Sequence, residues 1–235
     1  METELQVLLV TAASLAFVHT ILGPDHYIPF VMMSRAGRWN HTKTGFITFL
    51  CGLGHVGSSI LIGSIGIALG VALQELTSIE SFRGDWAAWL LFGFGTGYFV
   101  WSMVNVIRKK QHTHLHIHPN GTRHSHPHQH QEEHMHVHKK KQRMSPWILF
   151  VIFVFGPCEP LIPLLMYPAA EKHWTAILQV SSVFAIVTIG TMMLAVFVLK
   201  KGLNIIPTKA LNKFIHPIAG ATIALCGASI LFLGL

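Results

Sequence analysis

The chain of 235 residues is 51% hydrophobic and only 11% charged, with a mean hydropathy of +0.49. This composition is typical of a multi-pass membrane protein and excludes an ordinary water-soluble domain. The formal net charge of +7 is typical of membrane proteins with basic cytoplasmic loops, so it does not indicate nucleic acid as a partner.

Six apolar segments are each long enough to cross the hydrocarbon core, which takes about 20 residues of helix. In chain order they cover residues 5–33, 44–73, 86–107, 146–168, 174–199 and 211–235. The first has Glu2 and Glu4 before it and no small-residue cleavage site after it, so we expect a mature helix and not a signal peptide. The predicted fold is all-α, with six transmembrane helices.

The first segment is interrupted by Gly23 and Pro24. Proline cannot donate a backbone hydrogen bond and disfavours helical geometry at the preceding residue, so we expect the helix to break here. His19, Asp25 and His26 surround the break. Ionisable groups inside a membrane span usually mark an ion or substrate path, so we predict that these three bind a metal cation. Alternatively, the histidines cap carbonyls freed by Pro24 and Asp25 pairs with one of them.

The second segment contributes His55 near its middle, flanked by Gly54 and Gly57, which would let another helix approach closely. We predict that His55 is a further metal ligand, although a hydrogen-bonded packing role would also fit. Cys51 lies on the same helix face, but a buried cysteine is more often a small hydrophobic residue than a ligand.

A histidine-rich segment at 108–145 separates two halves of three helices each, giving the predicted divisions 1–107, 108–145 and 146–235. The segment has few apolar residues, so we expect it to be largely disordered. Neutral imidazoles are common metal ligands, so we predict that it captures metal in the cytoplasm. A merely solvating linker is the alternative. The histidines concerned are His112, His114, His116, His118, His124, His126, His128, His130, His134, His136 and His138.

The fourth segment carries a second interruption at Gly156, Pro157 and Pro160, and its Gly-Pro pair parallels Gly23 and Pro24. Because each half has three helices, the second copy would enter the membrane from the side opposite to the first copy. Inverted repeats of this kind place substrate sites near the bilayer midplane, on helices interrupted by Gly and Pro. We therefore predict two inverted three-helix repeats with broken first and fourth helices.

Cys158 and Glu159 lie inside the second interruption, at the point that matches Asp25 and His26 in the first. Thiolate, imidazole and carboxylate together suit divalent metals of the later first row. We predict that Cys158 and Glu159 complete or gate the metal site.

Basic residues are distributed unevenly among the predicted loops. Fifteen Lys and Arg lie on one side of the membrane, and only Arg83 and Lys172 lie on the other. The positive-inside rule then predicts that both termini are outside and that the histidine-rich segment is cytoplasmic. The expected location is the plasma (inner) membrane.

The pattern of His19, Asp25 and His26, followed by Gly54-His55 and a histidine-rich cytoplasmic loop, resembles the nickel/cobalt transporter (NicO) superfamily, nearer its exporter branch. The resemblance implies a secondary transporter of a divalent transition-metal cation, with nickel or cobalt first and zinc or iron as alternatives, and export favoured over import. Without a phosphate-cradling Gly-Lys-Ser/Thr loop, neither ATP nor an enzymatic activity is expected. The metal would be cargo and not a resident cofactor. The expected partners are the lipid bilayer, metal ions and a second copy of the chain, with no nucleic acid.

The Gly156-Pro157-Cys158 motif is more distantly similar to the thiol-redox membrane domains of cytochrome c biogenesis and disulfide reduction, and to sulfite-exporter-like proteins. The redox branch needs a cysteine in each repeat, whereas the first copy here has Asp25. The alternative function is therefore a sulfur-compound or thiol transporter, or a redox membrane protein, centred on Cys158. A membrane scaffold that buffers metal is a third hypothesis.

Overall fold

The computed structural model describes residues 2–108, 113–117, 123–127, 146–205 and 212–234, nearly all of them helical. The helices are α1 (Glu2–Leu22), α2 (Ile28–Ala36), α3 (His41–Ala68), α4 (Leu73–Arg108), α5 (Trp147–Phe155), α6 (Leu161–Ala170), α7 (Trp174–Ile205) and α8 (Ile215–Leu233). Short 3-10 helices cover Pro24–His26 and Asn212–Phe214, and two strands, β1 (Thr113–Ile117) and β2 (Arg123–Pro127), form an antiparallel pair.

Five helices are long and apolar enough to cross a membrane, namely α1, α3, α4, α7 and α8. Large apolar side chains such as Ile186, Leu194 and Leu225 are exposed on them, which is the surface that a lipid bilayer covers. The chain is thus a multi-pass membrane protein, as predicted. The fourth predicted span differs, because α5 and α6 have only nine and ten residues and neither crosses alone.

Both helix interruptions occur at the predicted Gly-Pro pairs. Helix α1 ends at Leu22 and α5 ends at Phe155. Gly23 and Gly156 each adopt extended backbone conformations, with ψ angles of 94° and 132°. The proline that follows each glycine disfavours helical geometry there, so the chain turns before the next helix begins.

The helices pack so that both interruptions lie in the interior. Helix α1 runs along α7, α3 contacts α5, α6 and α7, and α2 contacts α7 and α8. One apolar cluster includes Phe30 and Phe153, whose ring centroids are 4.6 Å apart. A second includes Val56, Cys158 and Phe184.

Helix α4, which corresponds to the third predicted span, begins earlier than predicted, at Leu73 and not at residue 86. Polar residues between 74 and 85 lower the hydropathy of this stretch, yet Glu80 within it is fully buried. The assignment of Arg83 to an external loop was therefore wrong. Lys200 was likewise assigned to a loop but lies on α7, where it is buried and donates to the carbonyls of Trp39 and Asn40.

The histidine-rich segment contains the β1–β2 pair, in which His114 lies opposite His126 and His116 lies opposite His124. The prediction of a largely disordered loop did not include this pair. Histidines alternate with other residues in both strands, which is a two-residue period compatible with a strand. The rest of the segment and the side chains of its histidines lie outside the described residues, so the metal-capture hypothesis stays a prediction.

Gly95 allows α4 and α8 to approach closely, since a Cβ atom there would lie 2.2 Å from the backbone nitrogen of Ala224. We expect Gly95→Ala to lower the free energy of unfolding by about 1–3 kcal/mol, because the helices must separate. Gly93 faces open space, so Gly93→Ala is the matched control and should be neutral or slightly stabilising. Unfolding in detergent micelles measures both. Equal stability of the two variants would contradict this packing.

Candidate functional site

Three histidines from different parts of the fold meet inside the helical bundle. His19 lies near the end of α1, His26 ends the 3-10 helix, and His55 lies in the middle of α3. Ring centroids are 4.8 Å apart for His19 and His26, 5.0 Å for His26 and His55, and 6.5 Å for His19 and His55. One ligand atom from each lies within 4.8 Å of the others, so a small inward movement would let the three hold one metal ion at a Zn–N distance of about 2.0–2.1 Å.

The ring nitrogens of this histidine cluster are largely unpartnered. His26 and His55 are each only 3% exposed. Nε2 of His19, Nε2 of His26 and both nitrogens of His55 have no hydrogen-bond partner in the described part of the chain. A buried polar atom without a partner costs about 1–3 kcal/mol, so the unpartnered nitrogens of this cluster favour a bound ligand.

The other ring nitrogen of His26 is held by the first helix interruption. Nδ1 lies 3.1 Å from the carbonyl oxygen of Gly23 and 3.2 Å from a carboxylate oxygen of Asp25. Both are acceptors, so Nδ1 carries the proton and donates, and the lone pair of Nε2 points toward the cluster. This is the arrangement by which an outer carboxylate fixes the orientation of a ligating histidine. Asp25 is therefore an outer partner of the cluster.

Glycines at both interruptions border the histidine cluster. A Cβ atom on Gly23 would lie 2.5 Å from Nδ1 of His26, and one on Gly156 would lie 3.0 Å from Nδ1 of His55. A larger residue at Gly23 would therefore displace His26. The two interruptions that the sequence pattern paired thus border the same cluster, the first at His26 and the second at His55.

Cys158 and Glu159 do not join the histidine group, which the described residues form from His19, His26 and His55 alone. Cys158 is 0% exposed and lies just before α6. Its backbone N–H donates to the hydroxyl of Ser59 at 3.0 Å and to the carboxylate of Glu80 at 3.2 Å. Glu159 lies beside Gly84 of α4.

Sequence reasoning missed a buried ion pair on α4, between Glu80 and Arg83. Glu80 is 0% exposed and accepts from the hydroxyl of Ser59 at 2.8 Å. Arg83 donates to the hydroxyl of Ser58 at 2.7 Å and to the carbonyl of Val154 at 3.0 Å. The pair therefore joins α3, α4 and α5 around the second interruption. The sequence signal that could have revealed this pair is two opposite charges three residues apart, just before the predicted span at 86–107.

The three cysteines are all buried and free. Cys51 and Cys226 belong to the apolar cluster around Phe30, whereas Cys158 belongs to the cluster around Phe184. Cys158 is thus the cysteine that lies at a helix interruption.

Comparison with protein families matches residues 28–231 to the cytochrome c biogenesis protein transmembrane region. No curated protein and no solved structure matches the chain. The match overturns the resemblance to the nickel/cobalt transporter superfamily, and with it the prediction of metal transport. It begins after His19 and His26 but includes His55 and Cys158. Since the matched residues make up most of its length, the chain belongs to the family of the cytochrome c biogenesis protein transmembrane region.

Proposed function

We propose that the chain passes thiol redox equivalents across the membrane, with Cys158 as the exchanging sulfur. The observation that best supports this proposal is the position of Cys158, a free thiol between two prolines at a membrane-helix interruption. Family membership supports it, because c-type haem attaches to the two cysteines of a C-x-x-C-H motif. Those cysteines react as thiols and not as a disulfide, so cytochrome c biogenesis depends on a supply of reducing equivalents.

The exchange needs one cysteine in this chain and two sulfur compounds from outside it. The Cys158 thiolate attacks a disulfide, RSSR, forming a mixed disulfide and releasing RS⁻, which takes up the proton that Cys158 lost. A thiol from the other side, R′SH, then loses its proton and attacks the sulfur of the R group. RSSR′ forms, and Cys158 leaves as a thiolate that takes up the proton lost by R′SH. The sum is RSSR + R′SH → RSH + RSSR′, which reduces one side at the expense of the other.

The residues present support a single-cysteine mechanism. Asp25 occupies the position in the first interruption that corresponds to Cys158 in the second. Cys51 and Cys226 lie in a different apolar cluster from Cys158. A dithiol within the chain is therefore not invoked, and the second sulfur comes from the reacting thiol.

Exchange requires the interruption between α5 and α6 to open, because Cys158 is 0% exposed in this conformation. Only Ser59 and Glu80 bind its backbone N–H among the described residues. Movement of α5 and α6 away from α3 and α4 would break these two bonds and expose the thiol. The proposal includes an inverted repeat with both termini outside, because movement of one half against the other would open this interruption.

Transmembrane thiol transfer can be measured in proteoliposomes that enclose a chromogenic disulfide, with glutathione outside. We expect the parent protein to release the coloured thiol inside, and Cys158→Ser to fall to the rate of protein-free liposomes. Cys51→Ser and Cys226→Ser are matched controls and should retain the parent rate, because both cysteines belong to a different apolar cluster from Cys158. Full activity of Cys158→Ser, or equal losses in all three variants, would contradict the proposal.

The histidine cluster supports a second proposal, that His19, His26 and His55 hold a divalent transition-metal ion in place. The favouring observation is the set of unpartnered nitrogens that face one another. Three imidazoles with an open fourth position suit zinc and its neighbours. This ion would be resident and not cargo. Zn²⁺ titration of the purified chain tests the proposal.

A further inference from the structure

The polar network around the second interruption contains bonds that stay within α3 and α4. Glu80 pairs with Arg83 on α4, and the hydroxyl of Ser59 donates to Glu80 at 2.8 Å. Arg83 also donates to the hydroxyl of Ser58 on α3 at 2.7 Å. These bonds involve neither α5 nor α6, so they can persist while the interruption moves.

Four described bonds of the same network cross from α3 and α4 to the interruption. Arg83 donates to the carbonyls of Val154 at 3.0 Å and of Gly156 at 3.4 Å. Both carbonyls lie at the end of α5, where a helix leaves its last acceptors without intrahelical partners, so Arg83 caps this helix. The other two bonds run from the backbone N–H of Cys158 to the hydroxyl on α3 and the carboxylate on α4.

The crossing bonds fasten a short stretch of chain to one turn of α4. Glu80 and Arg83 are three residues apart, and between them they hold backbone groups at 154, 156 and 158. Water has little access to these bonds, because the side chain of Glu80 is 0% exposed and that of Arg83 is 11% exposed. Cys158 is itself 0% exposed, so its sulfur cannot react while the stretch is held.

We infer that Glu80 and Arg83 form a latch that keeps Cys158 closed to thiols and disulfides until α5 and α6 move. The inference deepens the proposed function, on which the purpose of the latch rests, because it names the positioning residues of the exchanging sulfur. The bonds within α3 and α4 hold the latch residues in place in both states. Release of the crossing bonds is then the step that exposes the thiol.

The latch can be tested by the rate at which N-ethylmaleimide alkylates Cys158 in the purified full chain, followed by mass spectrometry in detergent micelles. Arg83→Lys keeps a positive charge beside Glu80, but an ammonium lacks the planar fork that binds several acceptors at once. Loss of the two bonds to carbonyls should raise the alkylation rate about tenfold. The double change Glu80→Met with Arg83→Met removes three of the four crossing bonds and should raise the rate further.

Hydrogen–deuterium exchange gives a second readout that does not depend on thiol chemistry. The backbone N–H of Cys158 is bonded in the closed state and is freed when the latch opens. The peptide that contains Cys158 should therefore exchange faster in both latch variants than in the parent chain. Unchanged exchange of this peptide in both variants would contradict the latch.

The controls separate local opening from general loss of stability. Cys51 and Cys226 belong to a different apolar cluster, so their alkylation rates should not change. Gly95→Ala strains the contact between α4 and α8, away from the latch, and should leave the rate at Cys158 unchanged. Equal acceleration by Gly95→Ala and Arg83→Lys, or no acceleration by either latch variant, would overturn the inference. Alkylation needs no disulfide, so faster alkylation in variants of a chain that transfers no thiol would support the latch and contradict only the proposed function.

Discussion

Replacing Glu80 by alanine is expected to lower the free energy of unfolding by about 3–5 kcal/mol, because it leaves a buried charge on Arg83 without its partner. The same change removes an acceptor from the backbone N–H of Cys158 and from the hydroxyl of Ser59. The interruption between α5 and α6 would then lose one of its polar links to α4. Unfolding of the purified chain in mixed micelles measures the loss.

A matched control for Glu80 lies on the same helix. Glu75 is exposed in the first turn of α4, so Glu75→Ala should change stability by less than about 0.5 kcal/mol. The double change Glu80→Met with Arg83→Met should cost less than Glu80→Ala alone, because no uncompensated charge remains. If Glu80→Ala and Glu75→Ala were equally stable, Glu80 would not hold the interruption together.

Replacing His26 by alanine is expected to abolish tight Zn²⁺ binding to the histidine cluster, since one of three ligands is lost. Asp25→Asn should weaken binding about 10- to 100-fold, which is the usual cost of losing an outer partner of a ligating histidine. Calorimetric titration measures both. The background should be a chain in which the eleven histidines of the segment at 108–145 are replaced by asparagine, so that only the cluster is observed.

The control for the histidine cluster is His173→Ala, because His173 is exposed and lies between α6 and α7. It should bind Zn²⁺ as the parent does. A saturating ion at 100 times its dissociation constant should also stabilise the parent by about 2.7 kcal/mol, and this gain should vanish in His26→Ala. Unchanged Zn²⁺ affinity in His26→Ala would remove the metal proposal without affecting the thiol proposal.

The helix interruptions and the meeting of the histidines could be predicted from the sequence. Proline fixes its own backbone and restricts the residue before it, so Gly23-Pro24 and Gly156-Pro157 are local signals that need no tertiary information. His19 and His26 are close because they flank one interruption. The proximity of His55 followed only from treating intramembrane ionisable groups as one site.

The polar network around Cys158 could not be predicted from local sequence. Hydropathy placed the start of α4 after Glu80 and Arg83, because charged residues resemble a loop when their partners are unknown. Only packing against α3 and α5 reveals that Glu80 is buried, that Arg83 is partly buried, and that the two are paired. The same reason explains the misassignment of Lys200, whose three acceptors lie just before α3 and in its first turn.

The family resemblance failed because it rested on short motifs. His19, Asp25 and His26 are three residues in a span of eight, and all three precede the matched range. The family match extends over residues 28–231 and so depends on the pattern of most of the chain. The match supports the alternative hypothesis, a redox membrane protein, better than metal transport.

Covalent trapping at Cys158 tests the thiol proposal most directly. The full chain in proteoliposomes would be given a disulfide on one side, quenched with acid, and examined by mass spectrometry for a mixed disulfide. We predict an adduct on Cys158 that disappears when a thiol is added on the opposite side, with no adduct on Cys51 or Cys226. An adduct that forms only on Cys51 or Cys226, or none at all while thiol transfer continues, would contradict it.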